Sequence, residues 1–63
     1  MTVQDIISVI SAYDTIHVQD EANQRVYNGW NGNFKATCDW AYDVLDNKVS
    51  RVMSNASVTI IFC

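Results

Sequence analysis

A single histidine, two cysteines and seven acidic side chains are the groups of this 63-residue chain best suited to catalysis or metal binding. None stands in a working pattern. A catalytic histidine needs an orienting carboxylate and a nucleophile within reach. His17 has Asp20 nearby in sequence, but Asp20 falls in a turn rather than stacked on the same strand face. The serines and Cys38 sit in no nucleophile motif. Cys38 and Cys63 with one histidine make no zinc spacing. Asp39, Asp43 and Asp46 match no calcium loop. The expectation is a protein that is not an enzyme and holds no metal or cofactor.

Those three aspartates recur at intervals of four and three, which on a helix makes one acidic stripe. A stripe of this kind is either a solvated face or a patch for a basic protein partner. Aromatic residues form the second concentration, with Tyr27, Trp30, Phe34, Trp40 and Tyr42 crowding the middle third. Trp40 lies on the apolar flank of a predicted helix and is expected to roof the core. Trp30 sits in a Gly/Asn segment and is expected to be partly exposed, either completing the core or, with Tyr27, anchoring a partner, as tryptophan and tyrosine commonly do. Base stacking on these rings would need a basic groove. Net charge is −3, and Arg25, Lys35, Lys48 and Arg51 are scattered, so nucleic-acid binding is disfavoured.

The elements that must position these residues follow from periodicity. Thr2 and Asp5 form a capping box for a helix over residues 3–12, with Val3, Ile6, Ile7 and Ile10 on its buried face. Thr15–Gln19 alternates, placing Ile16 and Val18 inward and His17 and Gln19 outward. With a polar turn at residues 20–24 and a second extended run from Arg25 to Asn28, it makes a hairpin. Residues 29–33 read as a loop in which Gly29 and Gly32 are free to take positive φ. Asn33 caps a short second helix over 35–45, carrying Trp40, Ala41, Val44 and Leu45. A second hairpin joins Val49–Met53 to Ser57–Phe62. The predicted fold is α+β: one domain, residues 1–63, with a small four-stranded antiparallel sheet of two hairpins, an N-terminal helix and a short second helix.

The last strand breaks the alternation rule. Val58, Ile60 and Phe62 point one way; Thr59, Ile61 and Cys63 point the other, and a half-exposed strand should be polar there. A domain this small has a thin core and usually needs a disulfide, a metal or self-association. With the first two lacking, Ile61, Thr59 and Cys63 become a predicted homodimer interface. The rival expectation is that the second helix covers Ile61. No apolar run approaches the length of a membrane span. The start, Met-Thr-Val-Gln-Asp, lacks the pattern of a secretory leader, so a cytoplasmic protein with free thiols is expected.

Thr2-Val3-x-Asp5-Ile6-Ile7, Tyr13-Asp14-x-Ile16-x-Val18-x-Asp20, Val26-Tyr27-x-Gly29, Val44-Leu45-Asp46-x-x-Val49-x-x-Val52 and the closing apolar strand together span nearly the whole chain. In these pieces it resembles a group of short uncharacterised proteins of Firmicutes and their phages and prophages. It departs from them at the Asn55-Ala56 turn and the terminal cysteine. The resemblance implies a mobile-element origin and a host protein as target, such as a CRISPR effector or helicase–nuclease defence component blocked by stoichiometric binding. A nucleic-acid-associated regulator and a structural subunit of a phage assembly are the alternatives.

Overall fold

The computed structural model describes residues 1–22 and 24–63. Asn23, in the predicted turn of the first hairpin, lies outside the described residues. The elements run α1 (Val3–Ile7), β1 (Thr15–Asp20), β2 (Val26–Trp30), α2 (Asn31–Thr37), a 3-10 turn (Tyr42–Val44), β3 (Val49–Ser54) and β4 (Val58–Phe62). The result is α+β, with a four-stranded sheet in the order β2-β1-β4-β3.

Both predicted hairpins form, but the sheet is mixed rather than antiparallel. β1 and β4 lie side by side and run parallel, with Ile16 opposite Val58, Val18 opposite Ile60 and Asp20 opposite Phe62. The reason is burial. Ile16, Val18 and Ile60 are fully buried and Phe62 nearly so. Adjacent placement fuses them into one apolar strip. A simple meander would instead put β2 beside β3, the two strands whose residues are mostly exposed, at the centre of the sheet. Val3, Ile6, Ile7, Phe34, Ala41 and Val44 complete the core over this strip. At about 25 cal/mol per Å2 of apolar surface removed from water, this layer is the main source of stability.

The helices differ from expectation in position and length. The capping box at α1 forms: the Asp5 amide donates to Thr2 Oγ1 (3.3 Å) and the Thr2 amide to Asp5 Oδ2 (3.0 Å). The helix then stops at Ile7 instead of residue 12. Ser8 turns its hydroxyl back onto the Asp5 carbonyl at 3.1 Å, a local bond that competes with helix propagation. The side-chain amide of Asn31 donates to the carbonyls of Ile7 (2.9 Å) and Ile10 (3.0 Å), satisfying acceptors that a continuing helix would have used.

The segment expected to be a loop, residues 29–33, is instead the end of β2 and the start of α2. Trp30 holds the N-cap position without a side-chain hydrogen bond. Asn33 therefore caps nothing and lies inside the helix. Neither glycine has the positive φ expected of it; Gly32 serves close approach. A Cβ there would meet Ala12 Cβ at 3.0 Å and the Ala12 carbonyl oxygen at 3.1 Å. This proximity lets the Gly32 and Asn31 amides donate to the carbonyls of Ala12 (2.9 Å) and Asp14 (2.8 Å). The predicted helix over 35–45 is replaced by the end of α2, a turn and the 3-10 turn.

Two stability predictions follow from these contacts. Asn31→Ala should lower the free energy of unfolding in urea by roughly 1–3 kcal/mol, the net worth of two part-buried hydrogen bonds. Backbone hydrogen bonding from Thr2 holds the Asp5 carboxyl below its ordinary range. Because the folded value is depressed, the stabilisation is complete above the unfolded value of about 4 and disappears as pH falls through the folded one. Asp5→Asn should therefore destabilise at neutral pH. Its stability gap to the wild type should close in acid, as read from urea midpoints at pH 7, 4 and 2.

Candidate functional site: the open face of the sheet

The helices pack against the face bearing Ile16, Val18, Ile60 and Phe62. Strand registers assign the opposite face residue by residue. His17 pairs with Asn28 and Thr59, Gln19 with Val26 and Ile61, Thr15 with Trp30, Arg51 with Ile61, and Met53 with Thr59. Side chains alternate across a strand, so this set shares one surface. Val26, Trp30 and Met53 are large exposed apolar groups there, Trp30 at 55%. Ile61, Thr59 and His17 are half-buried between their neighbours.

Charge is distributed unevenly. The chain's seven acidic residues lie off this face except Glu21, which lines a hollow with Gln19, Arg51 and Ile61. Arg51 and His17 are its other ionisable groups, and His17 Nε2 donates to Gln19 Oε1 at 2.7 Å. Glu21 stands at the rim. It accepts from the Ser50 hydroxyl, which in turn lies 2.9 Å from Cys63 Sγ. Ser50 is the extra residue where the β3–β4 register shifts between Val49 and Arg51. These contacts join the ends of β1 and β4 to that bulge. Gln19, Glu21, Ser50, Arg51 and Ile61 line a hollow of about 440 Å3.

The predicted site residues are dispersed. Ile61 and Thr59 lie on the open face as expected, with no helix over Ile61, because the helices pack on the other side. Cys63 is exposed at the rim. β4, however, is flanked by β1 and β3, so it offers no edge for pairing with a symmetry mate; only its face is available. Tyr27 and Trp30 are three apart on one strand and point to opposite faces. Tyr27 packs on Phe34 at 5.1 Å between ring centroids, and its hydroxyl donates to the Trp30 carbonyl at 2.7 Å. Trp30 meets Tyr13 edge-on at 6.5 Å. Trp40 is half-buried between Phe34 (5.7 Å) and Phe62 (5.9 Å), the core position expected of it.

Asp39, Asp43 and Asp46 are all exposed. They do not form the predicted stripe, because no one helix carries them: they fall in a turn, the 3-10 turn and the turn beyond it. Val26 and Met53 were missed as face residues. Alternation around Arg25–Asn28 and Val49–Met53 could have placed them, but the parallel register that brings their strands into one surface has no local signal.

Among the described residues, no three His, Cys, Asp or Glu side chains converge as metal ligands would. Nor is any helix among them long and apolar enough to cross a membrane. Comparison of the chain with protein-family models, curated proteins and solved structures finds no match.

The two thiols differ in setting. Burial pushes the Cys38 thiol up from its usual range, which lowers its thiolate fraction and hence its reactivity. Cys63 is exposed. Iodoacetamide at pH 8 should label Cys63 first and Cys38 slowly, with mass spectrometry of the native protein showing one adduct before the second.

Proposed function

We propose that this chain acts by binding another protein through the open face of its sheet, with no chemistry of its own. The observation behind this reading is that face itself: Val26, Trp30, Met53 and Ile61 share one surface with a single carboxylate, Glu21, at its rim, on a chain that is otherwise acidic. Interface centres are depleted in charge and enriched in aromatic residues and methionine. Trp30 is the anchor. Asp39, Asp43 and Asp46 remain solvated charges, since nothing aligns them. The resemblance to short phage and prophage proteins supplies the target class, a host defence component held stoichiometrically in the cytoplasm.

The experiment is retention of host protein from a Firmicutes lysate on immobilised wild type, Trp30→Ala and Asp43→Lys. A protein retained in equimolar amount should lose roughly 30-fold in affinity with Trp30→Ala, the scale of a 2 kcal/mol anchor. Asp43→Lys should bind as wild type does. Equal retention by Trp30→Ala would reject the face as the docking surface.

One observation favours a second reading. Trp30, His17 and Arg51, on a sheet face whose one carboxylate (Glu21) stands at the rim, are groups on which single-stranded nucleic acid stacks. Salt-sensitive shifting of DNA or RNA that Trp30→Ala abolishes would replace the protein partner with a nucleic acid. A homodimer would use the same face, through Ile61 and Thr59. Sedimentation equilibrium at micromolar concentration tests it: a dimer should revert to 7.1 kDa on Ile61→Lys, and a wild-type mass of 7.1 kDa ends that idea.

A further inference from the structure

We infer that the free edge of β3 is a second docking site, one that accepts an acidic, extended protein segment as a fifth strand. It extends the binding reading above but uses an edge of the sheet, not its face.

β3 is an edge strand, and all its residues after Val49 are exposed. An edge strand presents unpaired amides and carbonyls, which proteins normally blunt with proline, charge or a covering segment. Here the cover is partial. The N-terminal segment shields only the beginning of the strand: Thr2 bridges Lys48, and the Val49 amide donates to the Met1 carbonyl at 3.0 Å. Beyond the bulge at Ser50 the strand continues uncovered to Ser54.

The direction of its backbone groups follows from the register. Cys63 donates its amide to Lys48, so the polar groups of Cys63, and by alternation those of Ile61 and Thr59, face β3. Met53, opposite Thr59, therefore turns its amide and carbonyl toward β4. Val52 and Ser54 turn theirs outward. An added strand would bond to these two residues, with side chains beside Val52 on one face and beside Arg51 and Met53 on the other.

Charge commits the occupant. Arg51 stands on the uncovered strand and Lys48 just before it, two of the chain's four basic residues, and no acidic side chain occurs from Asn47 through Cys63. Glu21, bonded to Ser50, reaches the start of this strand from elsewhere, and Asp14 shares a hollow with Ser54 at its end. A second copy pairing here would bring its own Arg51 and Lys48 to the edge that already carries these two. An extended segment alternating Asp or Glu with aliphatic residues meets both the charge and exposed Val52.

The test uses the full chain and a fluorescein-labelled alternating Glu-Val octapeptide, with Gln-Val and Lys-Val versions as controls. Fluorescence anisotropy should show the acidic peptide binding at least roughly tenfold more tightly than either control, and more weakly as salt rises. Amide exchange should slow at Val52 and Ser54. Val52→Pro removes an outward-facing amide, which an edge strand tolerates, and should abolish binding while leaving the fold intact. Arg51→Glu should reverse the preference toward the Lys-Val peptide, which keeps the proposal testable if the proline variant does not fold. Trp30→Ala, on the far edge of the sheet, should bind the peptide normally, so failure of the face and failure of the edge are separable. Equal affinity for the three peptides, unprotected Val52, or wild-type binding by folded Val52→Pro would each overturn the inference. So would protection of Val52 by self-association in the absence of peptide.

Discussion

Everything in this molecule hangs on the parallel contact between β1 and β4. It joins residue 16 to residue 58 and residue 20 to residue 62, so the chain must close most of its length before the central pair exists. Loop closure of that kind is costly in entropy, and sheets built on distant pairings fold slowly. The hairpins on either side are local and can form first, but neither has a core alone. Stability arrives only when Ile16 and Val18 meet Ile60 and Phe62 and the helices settle over them. The same contact makes the open face, since it unites two hairpins into one four-strand surface.

That central pairing also explains what could be read in advance. Alternation located four strands and named the buried members of β1 and β4, because a two-residue period is visible in any short window. Orientation is not a local property. Val58, Ile60 and Phe62 bury the same side chains whether their neighbour runs parallel or antiparallel, and only the competition between exposed and buried strands for the centre decides. The capping box at Thr2 and Asp5 was legible for the opposite reason: its partners are three residues apart.

The middle of the chain misled because its signals were side-chain types without partners. Trp30-Asn31-Gly32-Asn33 looks like a loop by composition, yet Asn31 spends its side-chain amide on Ile7 and Ile10 and Gly32 admits Ala12, and both contacts come from an earlier part of the chain, residues 7–12. The aspartate spacing implied a stripe only if residues 39–46 were helical throughout. The 3-10 turn at Tyr42–Val44 replaces that helix, burying Ala41 and Val44 and leaving Tyr42 and Asp43 exposed. The open face was half legible: Ile61 drew notice by breaking alternation, whereas Val26 and Met53 did not.

The two tryptophans occupy opposite sides of this architecture, and they divide the protein's optical properties between them. Trp40, wedged between Phe34 and Phe62, emits from an apolar setting that exists only while the core is closed. Trp30, more than half exposed at the sheet's corner, emits from water in either state. The blue-shifted share of the fluorescence thus belongs to Trp40 and follows assembly of the core. The red share is open to quenching by iodide and to shielding by whatever lies on the sheet. One emission spectrum carries separate channels for folding and for occupancy of the face.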